Sequence, residues 1–208
     1  HPAIPDPLWS RGLGDVYKRQ ASGKSKINTL RPILVEDILG RDEIPPDPIL
    51  LSESINKKSI LITGAGGSIG SELTRQIIKF NPKRIILLDN SESNLYQITS
   101  EIESSKNLCK EIIPALGDCC NLEFLKNLFK QEKVDIVFHA AAYKNVFMTE
   151  TFPSSSVVNN ILGTKNIVDF AIKYQVPNMV MISTDKAVNP SNVMGASKRI
   201  AEIYVSYK

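Results

Sequence analysis

No apolar run in this 208-residue sequence approaches the roughly 20 residues a bilayer span needs, which excludes a spanning helix within it. Histidine is nearly missing, with only His1 and His139, and the three cysteines, Cys109, Cys119 and Cys120, form no CxxC pair. That combination supplies no ligand set for zinc, so no metal centre is expected. An odd cysteine count with two neighbours in sequence is a poor disulfide framework and fits a reducing, cytoplasmic setting. Neither sign of charge is in excess. With 25 Lys and Arg against 22 Asp and Glu, the net +3 gives no warrant for nucleic-acid binding or a membrane-surface role. What the sequence does hold is 42% hydrophobic residues, with Ile, Leu, Val and Phe gathered in runs. That is enough to bury one domain's core, and it excludes disorder throughout.

The order along the chain is uneven. Residues 1–25 hold the only tryptophan, Trp9, follow neither a helical nor a strand period, and lack the apolar core of a signal peptide. Their string Gly12-Leu13-Gly14-Asp15-Val16-Tyr17-Lys18-Arg19-Gln20 reads as translated adapter sequence, the alternative being a disordered native tail. Residues 26–57, with Pro32, Pro45, Pro46 and Pro48, read as a proline-rich extended linker.

Regularity begins at Lys58. Short apolar runs at 59–62, 84–88, 111–116, 134–138 and 179–182 predict five strands, the third near an edge because Pro114 interrupts it. Between them, Ile69, Leu73 and Ile77 mark one helical stripe and Leu95, Ile98 and Ile102 a second. Leu122, Leu125 and Phe129, capped by Asn121, mark a third. A longer helix is predicted over 153–174, and a last one from near Ser197 to the end. Strands alternating with helices predict an α/β fold, a Rossmann-type doubly wound parallel sheet over 58–208.

The first strand runs into Thr63-Gly64-Ala65-Gly66-Gly67-Ser68-Ile69-Gly70, with Gly64, Gly67 and Gly70 at three-residue spacing. Such a turn lets backbone approach a pyrophosphate and aims a helix N-terminus at it. No Lys-Ser/Thr pair follows, which disfavours a P-loop. Gly64, Gly67, Ser68, Ile69 and Gly70 are therefore candidate dinucleotide contacts. Asp89 ends the second strand 19 residues after Gly70, where a carboxylate accepts both hydroxyls of the adenine-side ribose and favours NAD over NADP. Asp89-Asn90-Ser91 could equally cap the next helix. Asp118 is placed for the adenine or for a plain turn. Ala140 and Ala141, after the fourth strand, are small enough for the cofactor's middle to lie on backbone. The fifth strand ends in Ser183-Thr184-Asp185-Lys186, an acid, an amine and hydroxyls at the same sheet edge. They are candidates for proton transfer or simply a hydrated loop.

Two sets of motifs carry a resemblance over residues 30–208. Thr63-Gly64-x-x-Gly67-x-Ile69-Gly70, Asp89 and Asn160-x-x-Gly163-Thr164 resemble the extended short-chain dehydrogenase/reductase superfamily. His139-Ala140-Ala141-Ala142-Tyr143-Lys144 and the run from Ser183 through Asn189-Pro190, with Met194-x-x-x-Lys198, resemble bacterial nucleotide-sugar 4,6-dehydratases of polysaccharide biosynthesis. Met194 stands where the superfamily usually has tyrosine. In this it is similar to the membrane-anchored dehydratases, for which residues 30–41 resemble the linker after the anchor. Asn145-Val146-Phe147 departs from the His-Val-Pro common in such proteins.

The resemblance implies oxidation of a UDP-N-acetylglucosamine at C4, loss of water across C5 and C6, and hydride return to C6, with NAD regenerated. It implies Lys186 as the base at C5, Asp185 as the acid at C6 or a participant in C4 oxidation, and Thr184 on the C4 oxygen. Lys198 would hold the nicotinamide ribose beside Met194, and Lys144, Asn189 and Asn192 would contact substrate. A 4-epimerase, or a non-catalytic NAD-binding module, is the competing reading. The family pattern further implies a homo-oligomer at the cytoplasmic face of the inner membrane, reached through an upstream region. It also implies a chain that stops before the C-terminal substrate region, so that these residues alone would not turn over.

Overall fold

A computed structural model describes residues 47–104 and 111–208. Their five strands, β1 (Ser59–Thr63), β2 (Arg84–Asp89), β3 (Ile112–Leu116), β4 (Ile136–His139) and β5 (Asn178–Met181), form one parallel sheet in the order β3-β2-β1-β4-β5. β1 is buried at every position because it has a neighbour on each side and helices over both faces. Its residues divide by the strand period. Ile60 and Ile62 pack with α2 (Ser68–Ile78) and α3 (Glu92–Ser104), through Ile77, Ile78, Leu95, Ile98 and Ile102. Leu61 faces the opposite cluster, built from α4 (Leu122–Gln131) with Leu125, Leu128 and Phe129, and from Ile167. β3 is an edge strand, and Pro114 is tolerated there opposite Leu87.

The chain leaves β1 toward β2 and β3, then crosses back to place β4 and β5 on the other side. That reversal opens a crevice beyond the carboxyl ends of β1 and β4, where open parallel sheets bind ligands. Ala65 and Cys119, from the loops that rim this end, are buried in the two clusters.

Several expectations are corrected. Part of the 26–57 stretch is not extended: Pro48–Ile55 is a helix, α1, and Ile55 is buried in the first cluster. Pro48 sits at the first helical position, where its missing N–H costs nothing, and Asp47 caps the turn by accepting from Ile49 N at 2.9 Å. Residues 1–46, and with them the expected tail and most of the linker, lie outside the described residues. Ile69 is 49% exposed and Leu122 57%, so neither belongs to the buried stripe of its helix.

A short helix missing from the sequence reading, α5 (Val146–Thr151), is capped by Asn145. The helix expected over 153–174 is α6 (Pro153–Ser156), a π-helical turn Val157–Leu162, and α7 (Gly163–Lys173). The final helix, α8 (Val193–Tyr207), starts four residues earlier than expected. No helix among the described residues is long and apolar enough to cross a membrane.

Candidate functional site

The glycine-rich turn has the geometry its composition predicts. Gly64 takes φ +66°, and a Cβ there would lie 2.8 Å from the backbone of Ala141. Gly67 N–H closes the turn on the Gly64 carbonyl at 3.0 Å. Gly67 then starts α2 without a capping side chain, so the first-turn N–H groups of Ser68, Ile69 and Gly70 have no intrahelical acceptor and the helix end suits an anion. Gly70 itself is buried against Gly64.

Asp89 faces this turn. Its Oδ2 accepts from Gly66 N at 2.8 Å and its Oδ1 from Ser91 N at 2.9 Å, with only 8% of the residue exposed. The helix-cap alternative falls to Ser91, whose carbonyl and hydroxyl take Leu95 N and Asn94 N. Each Asp89 oxygen keeps a lone pair for a hydroxyl. Asp118 does make a turn, Oδ1 accepting from Cys120 N at 2.7 Å, yet it also lines the crevice.

That crevice is a cavity of about 180 Å³. Of the residues proposed from sequence as cofactor contacts, Gly64, Gly67, Asp89, Asn90, Ser91, Asp118, Ala140 and Ala141 line it. Ser68, Ile69, Gly70 and Lys198 are not among its lining residues. Sequence reading missed Asn94, Gly117, Tyr143 and Asn159, which also line it. Asn159 was discoverable, since it directly precedes the recognised Asn160 on the π-helical turn.

The strap of residues 140–143 is pinned from two sides. Thr63 accepts from Ala140 N through its carbonyl at 3.1 Å and from Ala141 N through Oγ1 at 3.3 Å. Asn160 accepts Tyr143 N–H at 2.7 Å and donates to Tyr143 O at 3.0 Å and to Ser197 Oγ at 2.9 Å. Beyond the strap lies a second cavity of about 510 Å³, lined by Lys144, Asn145, Met148 and Phe152 among others.

The proposed reaction residues follow β5. Asp185–Ala187 is a single 3₁₀ turn, and Thr184 Oγ1 donates to Asp185 Oδ1 at 2.9 Å. Lys186 Nζ lies 3.6 Å from the same oxygen. The Thr184 bond first, and then the Lys186 charge, hold the Asp185 carboxyl below the usual range, so this exposed side chain is a carboxylate. α8 packs tightly on the turn, because Gly195 lies so close to the Lys186 carbonyl that a Cβ there would collide with it.

Met194 is 3% exposed, and Lys198 Nζ donates to the Ile182 carbonyl at 2.6 Å, its pKa lowered by burial. Asn192 spends its side-chain oxygen on α8, accepting from Gly195 N at 2.8 Å, and Glu150 of α5 accepts Val193 N–H at 2.7 Å. Asn189 is exposed with φ +49°, and Lys144 lines the second cavity. The free thiols Cys119 and Cys120 are both raised by burial, to about 12 and about 11, so they stay protonated and unreactive near neutral pH. Cys109 lies outside the described residues.

The chain has relatives whose names carry polysaccharide and sugar-nucleotide functions. The chain is 47% identical over 184 residues to the capsular polysaccharide biosynthesis protein CapD of Staphylococcus aureus, covering 88% of this chain and 31% of that protein. It is 35% identical to an inverting UDP-N-acetylglucosamine 4,6-dehydratase of Campylobacter jejuni, covering 69% of this chain and 41% of the relative. The chain thus spans less than half the length of these relatives. Among solved structures it is similar to a UDP-Glc/GlcNAc 4-epimerase from Campylobacter jejuni, at a TM-score of 0.62 and 25% identity, covering 70% of this chain and 47% of that one. The family model described as polysaccharide biosynthesis protein matches residues 60–208, from the second residue of β1 through the 184–186 turn and α8, and the chain belongs to that family.

Proposed function

We propose that the full-length protein is an NAD-dependent nucleotide-sugar 4,6-dehydratase acting on UDP-N-acetylglucosamine for surface polysaccharide synthesis. The carrying observation is the Asp185–Lys186 pair, an acid and an amine 3.6 Å apart at the end of β5. Elimination across C5 and C6 needs a base at C5 beside an acid at C6, whereas epimerisation needs only a base for the C4 hydroxyl and leaves Lys186 without a task.

The Gly64 turn, the bare first turn of α2 and the two-oxygen grip of Asp89 suit an NAD-type dinucleotide, and the Asp89 charge repels the 2′-phosphate of NADP. Bound NAD supplies the hydride acceptor at C4 and the donor at C6. Asp185, held as a carboxylate, can take the C4 hydroxyl proton and later return it to the C6 hydroxyl, which leaves as water. Lys186 must first give up its ammonium proton to solvent; as the free amine it removes the C5 proton, made acidic by the C4 ketone, and gives it back once C6 is reduced. Thr184 orients Asp185 through their 2.9 Å bond. Met194 has no exchangeable proton, so the Asp185 carboxylate replaces the usual tyrosine in this scheme.

The test is incubation of the full-length protein with UDP-N-acetylglucosamine and NAD. Mass spectrometry should show a sugar nucleotide lighter by one water, with no net NADH absorbance. A C4 epimer of unchanged mass would overturn the reading in favour of an epimerase.

A further inference from the structure

Thr164 has one hydroxyl proton, and its surroundings fix where that proton goes. Its Oγ1 lies 2.6 Å from the Asn160 carbonyl, which can only accept. The 2.9 Å approach of His139 Nε2 to the same oxygen is therefore a donation from the ring, an Nε2–H. The ring is wholly buried and neutral, its pKa pushed down to about 3 by burial and then by the Lys198 charge. Nδ1 is consequently bare, and at 2.6 Å it accepts the hydroxyl proton of Thr63. With its proton committed, Thr63 Oγ1 offers a lone pair to the Ala141 N–H at 3.3 Å.

The chain has one direction on each side of the ring. Ala141 N–H donates to Thr63 and Thr63 to His139, while His139 donates to Thr164 and Thr164 to the Asn160 carbonyl. The side chain of the same Asn160 holds Tyr143 at both its N–H and its carbonyl. One hydrogen-bonded chain thus fixes both ends of the 141–143 strap, whose inner side lines the dinucleotide cavity.

We propose that His139 is a positioning residue, which holds the 141–143 strap at the height where the middle of the dinucleotide lies across it. This rests on the dinucleotide reading of the site and not on the identity of the sugar. Loss of the chain would lower affinity for the whole dinucleotide and leave its adenine half untouched. The adenine half meets the glycine-rich turn, Asp89 and Asp118 instead.

The experiment compares NAD and AMP binding by calorimetry for the wild-type chain, Thr164→Val and Thr164→Ser. Valine keeps the shape and removes the acceptor of Nε2–H, whereas serine retains the hydroxyl. We expect Thr164→Val to weaken NAD about five- to tenfold, the worth of about one buried hydrogen bond, with AMP unchanged and Thr164→Ser restoring NAD. Imidazole ¹⁵N resonances of the wild-type chain should show an Nε2-protonated ring that stays neutral at about pH 5. Equal losses of NAD and AMP, an unchanged NAD affinity in Thr164→Val, or an Nδ1-protonated ring would each overturn the proposal. If Thr164→Val does not fold, the wild-type resonances decide alone. A wild-type chain that binds neither nucleotide defeats the dinucleotide reading itself, a result distinct from a strap that binds NAD without help from His139.

Discussion

Asp89 does two jobs with one carboxylate. Backbone N–H groups of Gly66 and Ser91 each take one oxygen, so the group is already oriented before any ribose arrives. Preorganisation of this kind reduces the ordering cost of binding. Asp89→Asn keeps the shape but loses the charge and turns one acceptor into a donor facing a backbone N–H. We expect NAD affinity to fall at least about tenfold and the preference for NAD over NADP to narrow. Parallel titrations of the variant with both cofactors check this, and an unchanged preference would remove Asp89 from the ribose site. Ser91 matters for the same reason, because by capping α3 it leaves Asp89 available.

At the scale of elements, α8 is held at its first turn by two acceptors from different parts of the chain. Asn192 takes Gly195 N–H locally, and Glu150 takes Val193 N–H from α5. Asn192→Ala should lower stability by about 0.5–2 kcal/mol, as other lost N-caps do, and Asn192→Asp should restore it. Urea unfolding of the described domain measures both. The strands, the glycine-rich turn and Asp89 were legible in sequence because each is local: a short apolar run, a glycine spacing, an acid at a strand end.

What could not be read depended on residues far apart in the chain. The Glu150 cap joins positions 43 residues apart, and Asn160 reaches Ser197 across 37. The proline at position 48 pointed to an extended linker, although proline is equally at home in a first helical turn. The π-helical turn, closed by a Gly163 N to Val158 O bond, has no sequence signature of its own. Asn159 lines the crevice at the sheet edge while Asn160 is buried against the strap.

For the molecule as a whole, the buried imidazole ties stability to acidity. His139 has an unfolded pKa near 6.5 and a folded one of about 3. Its folded value is depressed, so its contribution is fully present above pH 6.5. It is lost as pH falls toward about 3, because only the unfolded chain takes up the proton. The cost is about 1.4 kcal/mol per pH unit within that window. Glu72, Glu101 and Glu202 are also lowered, but they act only below their ordinary value of 4.5. Lys198 from α8, the charge that faces the ring, is depressed from 10.5 and acts on the alkaline side. Urea midpoints between about pH 6.5 and 4.5 should therefore fall for the wild type and be nearly flat for His139→Gln. Equal slopes in both would mean that the ring is not buried neutral.

The sheet order also sets a schedule for synthesis. β1 can pair with β2 soon after both emerge from the ribosome, but its other neighbour, β4, lies 76 residues downstream, since Ile60 pairs with Ile136. At about 5–20 residues per second, this fully buried strand waits roughly 4–15 s with one edge unpaired. During that interval the half-made sheet offers an open row of amides and carbonyls to other nascent chains or to a chaperone. The order β3-β2-β1-β4-β5 thus makes the yield of folded protein sensitive to the speed of translation between Asp89 and His139.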